Sequence, residues 1–257
     1  MQVAGVQLDI AWEAKEANYA KVRSLVGTAK LPRGTLVVLP EMFATGFSMN
    51  VAAIAEPAGG PTEAFLSALA EEFGVFVCGG LVLRAADGRG LNQSVTFAPD
   101  RGVAARYSKI HPFSYGGETQ HYAPGTEVIT YRVGAVPVAP FVCYDLRFPE
   151  IFRNAAKKGA QLLTVIANWP QPREAHWLAL LQARAIENQA FVIGVNRCGR
   201  DPRLSYPGRG QIIDPRGTIL ADGGNKEGVF GAVLDLAGLM SYRKDFPALE
   251  DMRSGWL

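Results

Sequence analysis

Short apolar runs alternate with amphipathic stretches along the whole chain. Val3-Ala-Gly-Val-Gln-Leu8 reads as a first strand. From Asn18 to about Leu31, Tyr19, Val22, Leu25 and Val26 recur at helical spacing and predict a helix. Thr35-Leu-Val-Val-Leu39 is continuous and β-branched, the pattern of a strand covered on both faces. Pro61 to Phe73 predicts a second helix, with proline near its start, an acid in its first turn and Gly74 just past its end. Residues 75–83 and 92–97 flank Asp87-Gly88 and predict a hairpin. Ala104 to Lys109 predicts another strand, followed by a polar loop up to about Thr126.

The second half repeats the style without repeating the sequence. A strand at 136–142 runs into Cys143, and Pro149 to Lys158 reads as a helix closed by Gly159. Residues 162–167 form a buried-type strand. Glu174 to Asn188 reads as a helix with Trp177, Leu181, Arg184 and Asn188 on one face. Further strands are expected at 191–195, 211–213, 218–220 and 229–234. Mixed strands and helices with no exposed linker predict one α/β domain over residues 1–257. From about Ala237 the chain is turn-rich, ending in the apolar pair Trp256-Leu257.

Composition narrows the function classes. At 48% hydrophobic and 19% charged residues, the 257-residue chain has enough apolar content to fold without disulfides or a structural metal. Lys and Arg number 26 against 24 Asp and Glu, a net charge of +2 that argues against an electrostatic nucleic-acid binder. Three scattered cysteines, Cys78, Cys143 and Cys198, imply no disulfide framework, and reduced thiols fit a cytoplasmic protein. The first residues read as a strand rather than a signal peptide, and no run approaches the roughly 20 apolar residues of a membrane span, so no membrane partner is expected. His111, His121 and His176 share no metal-ligand spacing, and no glycine loop of the nucleotide type is present, so neither metal nor cofactor is expected.

Candidate chemistry sits where strands end, the usual place for reactive groups in α/β proteins. Glu41 follows Leu36-Val-Val-Leu-Pro40, Lys109 closes Ala105-Arg-Tyr-Ser108, and Cys143 follows Val138-Ala-Pro-Phe-Val142 just before a predicted helix. A thiol at a helix N-terminus is expected to favour thiolate. A carboxylate within reach can take its proton, and an ammonium can face a developing oxyanion. Cys, Glu and Lys together therefore suit acyl transfer. Taken singly, each also fits a bland role: a core thiol, a loop carboxylate, a surface charge.

The flanking residues decide between these. Leu39-Pro-Glu-Met-Phe43 with Thr45-Gly-Phe-Ser-Met49, Tyr107-Ser-Lys-Ile-His111, Gly116-Gly-Glu118 and Phe141-Val-Cys-Tyr-Asp-Leu-Arg-Phe-Pro-Glu150 resemble the nitrilase (carbon–nitrogen hydrolase) superfamily. So do Ala167-Asn-Trp-Pro170, Ala183-Arg-Ala-Ile-Glu-Asn-Gln189 and Gly194-Val-Asn-Arg197, all in the family's order. Glu41 to Met49 and Cys143 to Phe148 look most like the omega-amidase branch. The resemblance implies a four-layer αββα sandwich. It also implies a small amide substrate such as 2-oxoglutaramate or 2-oxosuccinamate, no cofactor, and a homodimer or higher homo-oligomer. The helix after Cys143 and the tail ending Trp256-Leu257 are candidate subunit contacts.

By the same resemblance Glu41, Lys109 and Cys143 are the catalytic triad, and Lys109 with the backbone N–H of Tyr144 holds the oxyanion. Glu118 matches a second glutamate that positions Lys109 or the substrate nitrogen. Arg147 is the candidate for the substrate's far carboxylate, or else a structural ion pair with Glu150 or Asp145. Phe43, Tyr115 and Trp169 are candidate walls of a small apolar cavity. His111, two residues past Lys109, is a candidate to point the same way. Other branches, a deaminated-glutathione amidase or an N-carbamoyl amino acid hydrolase, and a catalytically silent assembly subunit remain alternatives. One departure from the pattern is Tyr206-Pro-Gly-Arg-Gly-Gln211, which with Arg200 and Arg203 makes an unusually basic loop; it reads as a surface or subunit contact, or as part of the pocket.

Overall fold

The computed structural model describes residues 1–100 and 102–253. In chain order the elements are β1 (Gln2–Gln7), α1 (Lys15–Ala29), β2 (Leu36–Val38), α2 (Val51–Ile54), α3 (Pro61–Phe73), β3 (Phe76–Arg84), β4 (Gly90–Ala98) and β5 (Gly102–Ser108). Then come α4 (Glu118–His121), β6 (Tyr131–Val133), β7 (Val136–Val142), α5 (Pro149–Lys157), β8 (Leu162–Ala167), α6 (Glu174–Glu187) and β9 (Phe191–Asn196). The remaining elements are β10 (Cys198–Arg200), β11 (Ser205–Pro207), β12 (Gln211–Ile213), β13 (Ile219–Asp222), β14 (Gly228–Val233) and α7 (Leu236–Asp245).

Among the described residues the strands form two six-stranded sheets, in the orders β14-β1-β2-β3-β4-β5 and β13-β12-β9-β8-β7-β6, with β10-β11 as a separate ribbon. Alternation along the inner strands assigns the layers. In and around β2, Leu36 and Val38 face the core shared by the two sheets, whereas Val37 and Leu39 face a second core with Val22, Val26, Leu66 and Leu69 of α1 and α3. The other sheet is covered on its outer face by α5 and α6, where Phe152 stacks on Phe141 with ring centroids 3.8 Å apart and Leu181 packs over Gly194. The result is the expected αββα sandwich.

α3 has the expected bounds and stops at Gly74, which takes the left-handed conformation (φ 64°). α1 begins earlier than its apolar spacing suggests, at Lys15, because buried Asn18 bonds Ala11 and the carbonyl of Ala44 instead of starting the helix. The polar segment after β5, expected as loop, contains the short α4. No described helix is long and apolar enough to cross a membrane. Trp256 and Leu257 lie outside the described residues.

Candidate active site

Glu41 is placed by an extension of the β2–β3 pairing. Leu39 N donates to Cys78 O at 2.8 Å, Gly80 N to Pro40 O at 3.1 Å and Phe43 N to Gly80 O at 3.2 Å. Only glycine fits at position 80, since a Cβ there would lie 2.5 Å from Glu41 Cα. The chain then turns through Met42, a non-glycine residue in the left-handed region (φ 45°). Lys109 directly follows β5, its N–H donating to Asn92 O at 2.9 Å. Glu118 opens α4. Cys143 directly follows β7 and is also left-handed (φ 48°), a strained conformation held by Asp145, whose carboxylate accepts from Val142 N at 3.1 Å and from the Tyr107 hydroxyl at 2.8 Å.

Lys109 Nζ lies 3.1 Å from Glu41 Oε1 and 2.8 Å from Glu118 Oε2, and all three side chains are essentially inaccessible to solvent. Burial alone would lower the Lys109 pKa, but the charges of Glu118 and Glu41 outweigh it and hold the ammonium well above its ordinary value. The expected arrangement is thus assembled: one cation between two carboxylates, with Cys143 close enough to feel all three.

Two features of the thiol differ from expectation. Cys143 begins a 3-10 turn, Cys143–Arg147, and the α-helix starts only at Pro149. Little macrodipole acts on the sulfur from so short a turn. Burial pushes the thiol pKa well above its usual value, Glu41 adds to the rise, and Lys109 opposes it without winning. This environment therefore favours the neutral thiol over a preformed thiolate.

Two residues without an assigned role complete the cluster. Asn92, at the start of β4, donates through Nδ2 to Glu41 Oε1 at 2.7 Å and to Glu118 Oε1 at 2.8 Å. Asn168, just past β8, donates its backbone N–H to Glu41 Oε2 at 2.8 Å and its side-chain amide to the Glu41 carbonyl at 2.7 Å. Asn92 is one of several buried polar residues of β4, with Gln93, Ser94 and Thr96, so little in the sequence singles it out; Asn168 sits inside a matching segment but carries no chemistry of its own.

Cys143 opens onto a cavity of about 510 Å³. Its aromatic wall includes Trp12, Phe47, Phe113, Tyr115, Tyr144 and Trp169. Trp169 is nearly buried, and Tyr115 stands at the solvent edge with 88% of its surface exposed. Phe43 is not part of this wall: past the left-handed Met42 the chain turns it into the helix-side core, where it is buried against Tyr19 and Phe65. Arg147 lines the cavity, its guanidinium 4.8 Å from the Trp169 ring and donating to His176 Nδ1 at 3.2 Å. Among the described residues it pairs with no carboxylate; Asp145 is committed instead to Tyr107, Val142 and His111. His111 does not continue the strand toward the cluster. It stacks on Phe148 with centroids 3.7 Å apart and bonds Asp145 through Nδ1.

The basic loop divides. Arg203 lines the cavity with Asp201, Leu204 and Tyr206, whereas Arg209 turns to Asp222 at 2.8 Å and Glu174 at 3.4 Å. No group of three His, Cys, Asp or Glu among the described residues can hold a metal ion.

A four-layer sandwich with a buried Glu–Lys–Glu cluster beneath an accessible thiol marks the class of α/β amidohydrolases. Comparison with known proteins agrees. The family model described as carbon-nitrogen hydrolase matches residues 2–244. The chain is 38% identical to the omega-amidase YafV of Escherichia coli K12, over 98% of this chain and 96% of that protein. It is 32% identical to the 2-oxoglutaramate amidase of Bacillus subtilis, over 98% of this chain and 97% of that protein. A solved CN-hydrolase superfamily protein from Xanthomonas campestris superimposes with a TM-score of 0.93 at 33% identity, covering 99% of this chain and 97% of that one. The chain belongs to the carbon-nitrogen hydrolase family.

Proposed function

We propose that the protein is an omega-amidase, releasing ammonia from the terminal amide of a short 2-oxo dicarboxylic acid monoamide such as 2-oxoglutaramate. The observation that carries this reading is the pairing, in one cavity, of the Cys143 thiol with Arg147, a guanidinium that meets no carboxylate among the described residues. A substrate carboxylate supplies the anion that Arg147 lacks. The likeness to relatives named for this activity points the same way.

The chemistry follows from the charges. Cys143 Sγ attacks the amide carbon as its proton passes to Glu41, which avoids creating a third anion beside two carboxylates. The former carbonyl oxygen takes the negative charge, facing Lys109 Nζ and the Tyr144 N–H; one such donor is worth about 3 kcal/mol. Collapse breaks the carbon–nitrogen bond, the nitrogen takes the proton from Glu41, and ammonia leaves a thioester. Water adds to the thioester carbon while giving a proton to Glu41. Expulsion of sulfur, reprotonated from Glu41, then frees the carboxylic acid. Glu118 keeps Lys109 charged and in place throughout. Within this reading the enzyme is a cytoplasmic homodimer or higher homo-oligomer, and sedimentation showing only monomer counts against that assembly.

Ammonia release from 2-oxoglutaramate and succinamate by the wild type and by Cys143→Ala tests the assignment. Turnover is expected in the wild type alone; activity surviving in the variant rejects Cys143 as nucleophile.

A further inference from the structure

We propose that Asn92 is a positioning residue that keeps the carboxylate pair in its proton-accepting state, setting the lowest pH at which Cys143 can be activated. Its single NH2 group spends one hydrogen on Glu41 Oε1 (2.7 Å) and the other on Glu118 Oε1 (2.8 Å). The opposite end of the amide, Oδ1, is buried with no partner among the described residues. Turned over, the amide would aim that oxygen at two carboxylates, so its orientation is dictated by the acids. The Asn92 carbonyl also accepts the Lys109 N–H at 2.9 Å, so one residue of β4 contacts all three charged members of the cluster.

The physical need for such a donor is clear from the charges. Lys109 supplies one positive charge to two buried carboxylates. Among the described residues the Cys143 thiol and the Tyr122 hydroxyl also feel the Glu41 charge, and burial raises the pKa of both. The cluster is therefore one negative charge in excess, and a proton bound there removes the base that Cys143 needs. Donors to the ionised form disfavour that proton, and Asn92 brings one to each carboxylate. Asn168 serves Glu41 alone.

This role rests on the proposed cysteine chemistry, so the test is read on the thiol itself. The rate of Cys143 alkylation by iodoacetamide is measured from pH 5 to pH 9 in the wild type, Asn92→Leu and Asn92→Ser, with Cys143→Ala giving the background from Cys78 and Cys198. Asn92→Leu keeps the branching and heavy-atom count of the side chain and removes both donors. It is expected to react at least tenfold more slowly than the wild type at pH 6 and within threefold of it at pH 9. Asn92→Ser, which retains one donor, should show the same trend with a smaller gap at pH 6, and it decides the matter if Asn92→Leu does not fold. A ratio to wild type that stays constant across pH, however small the rate, means a merely structural asparagine and overturns the proposal. If Cys143→Ala still releases ammonia from 2-oxoglutaramate, the functional reading fails, while the alkylation comparison keeps its meaning.

Discussion

Asn168 grips Glu41 from the opposite sheet: its backbone N–H meets the carboxylate at 2.8 Å and its side-chain amide meets the Glu41 carbonyl at 2.7 Å. Glu41 follows β2 of one sheet and Asn168 follows β8 of the other, so this contact sets the base relative to the half of the site that carries Cys143. In Asn168→Ala the backbone donor remains and the side-chain donor is lost. We expect kcat to fall about tenfold and stability to fall by about 1–2 kcal/mol. Steady-state rates and urea unfolding check this; an unchanged kcat removes Asn168 from the positioning of Glu41.

Lys109→Ala leaves two buried carboxylates facing each other without a cation. Breaking a buried ionic cluster this way typically costs about 3–5 kcal/mol, and the oxyanion loses a donor as well. Turnover should vanish while far-UV circular dichroism still reports a folded chain. A folded variant with near-normal rates excludes Lys109 from the mechanism.

Arg147→Gln keeps a polar side chain and removes the charge. KM for succinamate should rise at least tenfold, whereas the slow hydrolysis of an uncharged amide such as butyramide should change less than threefold, because only the former presents a carboxylate. Equal effects on both substrates would assign Arg147 to packing against Trp169 instead.

Stability toward acid should depend on Glu63 and Arg106, which join α3 to β5. Burial by itself would raise the Glu63 carboxyl, but hydrogen bonds from Arg106 and from the Gly59 amide outweigh it and hold it below its ordinary 4.5. The pair therefore stabilises the fold above about pH 4.5 and loses that contribution as pH falls through the lower folded value. With Arg106 one-third exposed, about 1 kcal/mol is a fair magnitude after solvent screening. Arg106→Gln should melt below the wild type at pH 7, and the two curves should converge below pH 3; a constant difference at every pH contradicts the linkage.

The strands carrying the site were legible because their periodicity is strong. Thr35 to Leu39 and 136–142 are apolar on both faces and can only be covered strands, so Glu41 and Cys143 had to emerge at strand ends. The motifs around them then identified Lys109 and Glu118. Phe43 was misread because adjacency in sequence to Glu41 says nothing of direction: two residues along, past the left-handed Met42, the ring faces the helices. Asn92 and Asn168 went unassigned because amides have no charge or nucleophilicity to announce them; they matter only through what they touch.

By itself the sequence determined the order of strands and helices through local periodicity, while the layered class and the reacting residues came through its resemblance to a known family. The tertiary structure alone decided which way the Cys143 thiol and the Lys109 ammonium are pushed from their ordinary pKa values. Whether a thiol is acidic depends on burial and on the sum of neighbouring charges, and Glu41, Asn92, Lys109, Glu118, Cys143 and Asn168 are brought together from several strands and a short helix far apart in the chain. A helix N-terminus expected from sequence became a 3-10 turn, and burial together with Glu41 raised the thiol pKa instead of lowering it.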